Sequence, residues 1–402
     1  MYMVFDDKFS DLGRSLEPSA LTQIMNMITE DVISFSGGLP HPDSFPVEEV
    51  REVMEYVLTN EPVTALQYGS PRGNEKLIAF LAARSKDKEM KVTEKNFLIT
   101  SGSQQALDLL ARVFLDPEDE VIVESPTYLG ALGPFKNQKA QLTEVPMDDN
   151  GVIPEELEKI LQARRTENKQ VKFIYLIPTF QNPTGVTLSL ERRQKICSLA
   201  SKFDVLVIED DPYGELRYAG EKVPPLKVFD KTGHVIYLST FSKIFSPGAR
   251  MGWVTAHESI ISKLVYLKES VDLHSSTFVQ SIVYEYCRKN LLDQHIKDIL
   301  PIYSVRRKAM LNALETHFIK DVTWTEPEGG FFLWATLPDH IDTKDLLVEA
   351  AKNRVAYVPG YAFYPGGQGQ NTMRLSFSGV DESQIDEGIK RLAAVVSKEI
   401  SK

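Results

Sequence analysis

The fold is decided by residues 171–210, VKFIYLIPTF QNPTGVTLSL ERRQKICSLA SKFDVLVIED. The runs 171–176 and 205–208 are short, rich in β-branched residues and largely apolar, so we predict two strands that are buried on both faces. Between them, residues 190–203 have the apolar spacing of an amphipathic helix. This order of strand, helix and strand predicts a parallel pair of strands joined by a crossover helix.

The same alternation extends in both directions, from about residue 95 to residue 255. It predicts further strands over 97–100, 120–123 and 235–238, and helices over 104–114 and 154–163. The predicted fold class is therefore α/β, with a large domain whose mainly parallel sheet is covered by helices.

The pattern changes toward the carboxyl terminus, where short strands and helices are mixed. Helical patterns cover 257–289, 296–317, 343–353 and the residues from 382 onward, and strand patterns cover 322–324, 331–335 and 373–377. We therefore predict a large domain over residues 46–290 and a smaller α+β domain over residues 291–402. Residues 1–45, with Gly, Pro and Ser near 36–40, are predicted to form an arm that packs on the small domain and the substrate site.

Composition excludes several classes of protein. The chain has 402 residues, 43% of them hydrophobic, and a formal net charge of -11, which excludes a mainly disordered protein. The 56 acidic against 45 basic residues argue against nucleic acid or an anionic membrane as the main partner. The sequence lacks both an apolar run of ~18 residues and a signal peptide, and its two cysteines, Cys197 and Cys287, need no oxidising compartment, so we expect a cytoplasmic protein.

Polar residues follow the predicted strands, where ligands of an open α/β sheet bind. The stretch Ser101-Gly102-Ser103-Gln104 leads into a helix, and either a phosphate site or a plain helix cap explains it. Asp210 is either a cap or turn residue, or a carboxylate that holds a proton on a heteroaromatic nitrogen.

The segment 239–253, STFSKIFSPGARMGW, carries hydroxyls, Lys243 and Arg250 in a Pro-Gly turn between two apolar strands. A lysine at the end of a buried sheet loses hydration, which lowers its pKa and makes the neutral amine available as a nucleophile. An arginine nearby would supply the bidentate contacts to a phosphate that the lysine cannot. The segment therefore indicates a nucleophile beside an anion site.

This segment, together with Asn182-Pro183-Thr184-Gly185 and Asp210-Asp211-Pro212-Tyr213, carries a family resemblance. From about Ser34 to its end, the chain resembles the pyridoxal-phosphate-dependent aminotransferases of fold type I. The branch that it resembles is class I/II, which includes 2-aminoadipate, kynurenine and aromatic amino acid aminotransferases.

The resemblance implies pyridoxal 5′-phosphate as the cofactor and a role for each matching residue. Lys243 would bond covalently to the cofactor and then move the catalytic proton, Asp210 would pair with the pyridinium nitrogen, and Tyr128 would stack on the ring. The remaining cofactor contacts would be made by Asn182 and Tyr213 at the ring oxygen, and by Ser103, Gln104, Thr240, Ser242 and Arg250 at the phosphate.

The resemblance also implies where the substrate and a second subunit lie. Arg374 would clamp the substrate α-carboxylate, with Gly38 and Asn182 as further substrate contacts. Tyr68 would reach the phosphate from a neighbouring subunit, which implies a homodimer with shared active sites. No metal site is expected, because the 7 histidines lack the spacing of metal ligands.

Two departures from the family bear on the substrate. Thr240 stands where the family usually has Ser, which keeps the hydroxyl. Relatives that accept aminoadipate are expected to carry a basic residue on the N-terminal helix over the distal end of the substrate, but residues 17–23 have none, although Arg14 lies close. We therefore favour an aromatic or large apolar amino donor, with 2-aminoadipate left open.

The function implied is transfer of an amino group from an L-amino acid to a 2-oxo acid, with 2-oxoglutarate expected, by a ping-pong mechanism. A β-lyase or decarboxylase with the same cofactor stays open, because the protein decides which bond breaks. A ligand-sensing regulator is disfavoured, because the first ~30 residues are too few for a winged-helix domain and the net charge is acidic.

Overall fold

The computed structural model describes residues 5–18, 22 and 31–401. The helices are α1 (Asp11–Ser15), α2 (Val47–Asn60), α3 (Pro62–Leu66), α4 (Glu75–Asp87), α5 (Gly102–Phe114), α6 (Leu129–Asn137), α7 (Pro154–Thr166), α8 (Leu190–Phe203), α9 (Leu226–Phe229), α10 (Glu258–Asp272), α11 (Thr277–Arg288), α12 (Leu291–His317), α13 (Thr343–Lys352) and α14 (Glu382–Ile400). The strands are β1 (Ile33–Ser34), β2 (Phe97–Thr100), β3 (Glu120–Ser125), β4 (Gln141–Asp148), β5 (Gly151–Val152), β6 (Val171–Leu176), β7 (Leu206–Asp210), β8 (Val235–Thr240), β9 (Gly252–Thr255), β10 (Thr323–Trp324), β11 (Phe332–Thr336), β12 (Val355–Ala356), β13 (Val358–Pro359) and β14 (Thr372–Ser376).

The larger sheet has the strand order β2-β9-β8-β7-β6-β3-β4-β5. Strands β4, β3, β6, β7 and β8 run parallel to one another, whereas β9 is antiparallel to both β2 and β8, and β5 is antiparallel to β4. Every residue of β2 and β8 is buried, and so is nearly every residue of β3, β6 and β7, because helices pack on the sheet. The predicted α/β class with a mainly parallel sheet is confirmed.

Two of the differences between the structure and the prediction have a clear physical reason. Strand β4 was not predicted, because its position near the edge leaves most of Gln141–Asp148 partly exposed and the sequence there is polar. The single helical pattern predicted over 257–289 is wrong, since α10 and α11 are separate. Leu273, in the break between them, has φ 63°, which a continuing α-helix does not allow.

A smaller antiparallel sheet has the strand order β10-β11-β14-β13. Helices α12 and α14 pack against one another beside it, and their buried apolar residues share a core with those of β11 and β14. Strand β1 pairs with β12, so residues 33–34 join the carboxyl-terminal part of the fold. Among the residues that the structure describes, no helix combines the length and the apolar character needed to cross a membrane.

The carboxyl ends of the parallel strands lie at one edge of the larger sheet. The loops that leave β3, β6, β7 and β8 therefore converge there with the start of α5. Strand β14 of the smaller sheet and the segment after β1 reach the same edge, since Arg374 bonds to both Asn182 and Ser36. This junction is where the fold places the site.

Candidate active site

A cavity of about 240 Å³ lies at this junction. With the exception of Tyr68, the predicted site residues line it: Gly38, Ser103, Gln104, Tyr128, Asn182, Asp210, Tyr213, Thr240, Ser242, Lys243, Arg250 and Arg374. Leu39, Ile177, Pro212 and Phe332 complete the wall. Residues from both sheets and from the segment after β1 thus enclose one volume.

Asp210 is the last residue of β7, and its buried carboxylate faces one donor. The Tyr175 hydroxyl donates to its Oδ2 over 2.9 Å, while its Oδ1 is buried and accepts no hydrogen bond from the residues that the structure describes. Burial raises the pKa of Asp210 to about 7, although the bond from Tyr175 opposes the rise. An unpartnered buried acceptor at a cavity wall has the chemistry needed to receive a ring N–H.

The amino-terminal turn of α5 forms one side of the cavity. Ser101 precedes the helix, but its side chain makes no capping bond to the first-turn N–H groups, so the cap explanation is wrong for its hydroxyl. Gly102 has φ +77°, and a Cβ built there would lie 2.7 Å from Nη2 of Arg250. The positive φ favours glycine at this position, and its missing side chain lets the guanidinium lie close to the backbone. Free N–H groups, a helix amino terminus and an arginine together suit an anion.

Hydroxyls from the end of β8 line the same side of the cavity as the amino-terminal turn of α5. The hydroxyls of Thr240 and Ser242 lie 2.9 Å apart, and Thr240 Oγ1 also accepts from the Ser242 N–H over 3.1 Å. Arg250 closes the turn with φ 49° and donates from Nη2 to the Ser101 carbonyl over 3.2 Å. Thr240, which stands where the family usually has Ser, therefore keeps a hydroxyl on this side of the cavity.

Lys243 projects into the cavity from the loop after β8. Its Nζ donates to the Gly38 carbonyl over 2.9 Å, and no carboxylate of a described residue lies within 4.0 Å of it. Burial lowers the pKa of Lys243 to about 8, and the positive charges of Arg374 and Arg250 add to this effect. The neutral, nucleophilic form of this amine is therefore much more populated near neutral pH than in an ordinary lysine.

Arg374 is buried on β14 opposite Lys243. Its Nη1 donates to Asn182 Oδ1 over 2.9 Å and its Nη2 donates to the Ser36 carbonyl over 2.5 Å, while its Nε has no partner among described residues. The guanidinium lies 4.1 Å from the centre of the Phe332 ring. Burial lowers the pKa of Arg374 to about 10, so the group stays charged at neutral pH. A fixed cation without a carboxylate partner is suited to an anionic substrate group.

Two tyrosines complete the cavity wall. Burial raises the pKa of both Tyr128 and Tyr213, so both hydroxyls are protonated donors at neutral pH. The Tyr213 ring packs edge-on against Phe332 with 5.9 Å between the ring centres, which holds its orientation.

Tyr68 does not reach this cavity within one chain. Its side chain is 78% exposed and packs edge-on against His274, with 5.7 Å between the ring centres. Arg14 is also elsewhere, since it donates to Asp11 and to the Phe9 carbonyl and does not line the cavity. Of the stretch 17–23 that lacks a basic residue, residues 19–21 and 23 lie outside the described part of the chain.

Sequence reasoning missed Phe332 and Tyr175. Phe332 lines the cavity because β11 pairs with β14, which places it next to Arg374. A signal existed for Tyr175, because a tyrosine inside an apolar buried strand needs a partner for its hydroxyl. Neither the partner nor the neighbour follows from spacing along the chain.

Comparisons with known proteins agree with this geometry. Residues 30–392 match the family model described as aminotransferase class I and II. The chain is 46% identical over 400 residues to aromatic-amino-acid aminotransferase 1 of Thermococcus litoralis, covering 99% of this chain and 96% of that protein. The structure of the multiple substrate aminotransferase from Thermococcus profundus has a TM-score of 0.96 at 45% identity, covering 99% and 100% of the two chains. Pyrococcus horikoshii kynurenine aminotransferase, solved in complex with PMP, has a TM-score of 0.95 at 45% identity, covering 98% of each.

Class I and II aminotransferases act with pyridoxal 5′-phosphate, and the residues at the cavity fit this group. They offer an amine with a lowered pKa, an unpartnered carboxylate oxygen and a helix amino terminus beside an arginine. The family model spans most of the chain, and the relatives match it over nearly its whole length. This chain therefore belongs to the class I and II aminotransferases and is a pyridoxal-phosphate-dependent enzyme.

Proposed function

We propose that the enzyme moves the amino group of an aromatic or large apolar L-amino acid to 2-oxoglutarate by a ping-pong mechanism. The observation that carries the proposal is the charge of the cavity: Lys243, Arg250 and Arg374 line it, and Asp210 is the one acidic residue among the described residues of its wall. The wall beyond Arg374 is apolar, with Leu39 and Phe332, which supports an apolar donor side chain. Arg14 is engaged with Asp11, so it is not offered to a distal carboxylate.

The cofactor, when bound, supplies a ring that accepts the electron pair left at the substrate α-carbon. We assign the charge that supports this to Asp210, whose Oδ1 would accept the N–H of the ring. Asn182 and Tyr213 would bind the ring oxygen, and Tyr128 would pack on the ring face. Ser103, Gln104, Thr240, Ser242 and Arg250 would bind the phosphate, because all five line the cavity, Ser103 and Gln104 from the start of α5 and the others from the end of β8 and the loop after it.

Lys243 would hold the cofactor through its Nζ. The same Nζ would serve as the base and acid that moves the proton of the substrate α-carbon. The lowered pKa of Lys243 supports this assignment, because a base must be neutral to accept a proton.

Arg374 would clamp the α-carboxylate through its two terminal nitrogens, displacing the Asn182 and Ser36 contacts in part. Gly38 would lie against the substrate, and a side chain there is excluded, because a Cβ would lie 2.4 Å from the Phe332 ring.

The test of substrate class is a panel of amino donors with 2-oxoglutarate as acceptor, measured as the 2-oxo acid released. We expect aromatic and large apolar donors to have the highest kcat/KM, and parallel lines in double-reciprocal plots as the sign of a ping-pong mechanism. A preference for 2-aminoadipate would refute the donor assignment. Ammonia and pyruvate from a sulfur amino acid would favour the β-lyase.

We also propose a homodimer in which Tyr68 contacts the phosphate bound by its partner. Three exposed apolar side chains are close to Tyr68 or to its ring partner His274 along the chain: Val63, Leu66 and Leu273, which are 76%, 69% and 52% exposed. A patch of this kind is typical of a protein interface.

Mixing two inactive variants tests this arrangement. Refolded together, Tyr68→Ala and Lys243→Ala chains should form mixed dimers in which one site has both residues intact, so activity should reappear. Activity that stays at the sum of the two separate variants would refute a shared site.

The predicted arm (1–45), large domain (46–290) and small domain (291–402) stay predictions, and limited proteolysis at their boundaries would test them. The cytoplasm stays the proposed compartment, supported by the free thiols Cys197 and Cys287.

A further inference from the structure

Two buried tyrosine–aspartate pairs lie on opposite faces of strand β7. The Tyr175 hydroxyl donates to Oδ2 of Asp210 over 2.9 Å, and the Tyr237 hydroxyl donates to Oδ2 of Asp211 over 2.8 Å. In both aspartates Oδ1 is buried without a partner among the described residues. The two pairs are therefore chemically matched.

Strand pairing explains why the pairs face opposite ways. Tyr175 of β6 pairs with Ile208, two residues before Asp210, so Tyr175 and Asp210 share one face of the sheet. Tyr237 of β8 pairs with Glu209, so it shares the other face with Asp211. Asp210 lines the site cavity, whereas Asp211 lines separate cavities beside Glu215.

We propose that Tyr175 is a positioning residue for the reaction: its hydroxyl holds Oδ2 of Asp210 so that Oδ1 is presented to the nitrogen of the cofactor ring as a carboxylate. This inference rests on the proposed pairing of Asp210 with that nitrogen. Among the described residues, Tyr175 is the hydrogen-bond partner of the Asp210 carboxylate, so its hydroxyl determines how that carboxylate is rotated.

Tyr175 is itself held in place. It is fully buried, and its ring packs edge-on against Phe135 with 5.7 Å between the ring centres. A donor on a fixed ring restrains the rotation of the carboxylate that accepts from it. Phenylalanine at this position would keep the packing but leave both oxygens of Asp210 unbonded.

Tyr175 also favours the charged form of Asp210 against its surroundings. Burial and the nearby charge of Asp211 both raise the pKa of Asp210, and the Tyr175 bond lowers it. Glu124, Tyr128 and Tyr213 also lie close enough to interact electrostatically with Asp210. Each of them is neutral when protonated and negatively charged when not, so none of them stabilises the Asp210 carboxylate by a positive charge. Removing the hydroxyl therefore raises the pKa of Asp210 above about 7, and the proton is gained at higher pH.

The experiment compares Tyr175→Phe with Tyr237→Phe as the matched control. For each holoenzyme we would measure the dissociation constant of pyridoxal phosphate, the pH titration of the bound cofactor's absorption and the pH profile of kcat/KM. We expect Tyr175→Phe to weaken cofactor binding roughly 10-fold or more, as loss of a bond to a charged group implies, and to move the acidic limb of both pH curves to higher pH. Tyr237→Phe should leave cofactor affinity and both curves unchanged.

Asp210→Asn and the double variant Asp210→Asn/Tyr175→Phe distinguish the role of Tyr175 from the role of Asp210 itself. If Tyr175 acts through Asp210, the double variant should bind cofactor no more weakly than Asp210→Asn alone. A Tyr175→Phe enzyme that matches Tyr237→Phe, or losses that simply multiply in the double variant, would overturn the inference. An Asp210→Asn enzyme with unchanged affinity and pH curves would instead refute the proposed role of Asp210.

If Tyr175→Phe does not fold, as judged by circular dichroism, Tyr175→His restores a ring with a donor. Recovery of cofactor affinity and of the position of the acidic limb in Tyr175→His would support the inference. Recovery of the fold without either would contradict it.

Discussion

Lys268 and Lys243 both lose most of their contact with water, but the groups that surround their amines differ. Lys268 of α10 has a fully buried side chain whose Nζ lies 2.8 Å from both oxygens of Asp272 and 2.9 Å from Gln105 Oε1. Lys243 donates to a single carbonyl, that of Gly38, and its charged neighbours are arginines. Burial lowers the pKa of both, but Asp272 opposes the effect at Lys268, whereas Arg374 and Arg250 increase it at Lys243.

The difference separates a structural lysine from a chemical one. Lys268 supports the proposed phosphate site indirectly, because Gln105 Oε1 also accepts from the Ser101 N–H at the start of α5. Its own charge is matched by Asp272, so it is not available for reaction. Lys243 has no such match, and its partners favour the neutral amine that a nucleophile or base requires.

The largest expected effect comes from removing the chemical lysine. Lys243→Ala should lower kcat by at least about 10⁴-fold, because it removes both the covalent attachment and the proton transfer. Steady-state transamination assays measure this, with cofactor retention by absorption as a check that the cavity survives. Activity within tenfold of the natural enzyme would break the distinction between the two lysines.

Removing a positive neighbour of Lys243 should have the next largest effect. Arg374→Ala should lower kcat/KM for amino and oxo acids alike by about 1.5–3 kcal/mol, as loss of a charge-assisted bond implies. It should also raise the pKa of Lys243, because one of the charges that lowers it is gone. Arg374→Lys is the control: it keeps the charge, so the pKa should change less, but it loses the bidentate contact. An Arg374→Ala enzyme with an unchanged pH profile would contradict the proposed coupling.

Removing the structural lysine should cost stability and leave chemistry largely intact. Lys268→Met leaves the partly buried Asp272 without its cation, so we expect a loss of about 1–3 kcal/mol in the free energy of unfolding. Denaturant titration measures this, and kcat should stay within a few-fold of the natural enzyme. Lys263→Met, an exposed position on the same helix, should change neither quantity. A kcat loss as large as that of Lys243→Ala would show that Lys268 has a chemical role.

The smallest effect is in the pH dependence of stability. Lys243 has a folded pKa of about 8 against its ordinary value of 10.5, so between these values the unfolded chain binds more protons. Stability of the cofactor-free protein should therefore rise with pH across this window through this group, by about 1–3 kcal/mol. Melting temperatures measured at both ends of this pH window test this. The increase in melting temperature should be larger for the natural chain than for Lys243→Met. Equal increases for the two proteins would mean that folding does not lower the pKa of Lys243.

Much of the larger sheet could be predicted because local pattern and burial agree there. Strands β2 and β6 and helix α8 have the predicted bounds, since each has an apolar pattern that tertiary contacts reinforce. Strand β4 could not be predicted, because an exposed strand near a sheet edge lacks that pattern. The break after α10 was missed for the opposite reason: the apolar spacing continues across it, and only the left-handed φ of Leu273 ends the helix.

The residues of the site also fall into a group that could be predicted from the sequence and a group that could not. Lys243, Asp210, Asn182 and Arg250 stand in recognisable motifs, so their place in the cavity could be predicted. Tyr175 and Phe332 stand in ordinary strands, and they became site neighbours only through the pairing of β6 with β7 and of β11 with β14. The role of Tyr68 stays a prediction, since it depends on a second subunit.

The sequence by itself determined the order of strands and helices, the family and the residues able to carry its chemistry, because these follow from local pattern and motif. The motifs pointed to Asp210 and Lys243, but the sequence could not decide on which face of the sheet each of the two adjacent aspartates lies, or how burial and neighbouring charges shift the pKa of each buried lysine. Tertiary structure decided both. The face of a strand follows from its register with its neighbours, and the pKa of a lysine follows from charges and burial that reach it through space from distant parts of the chain.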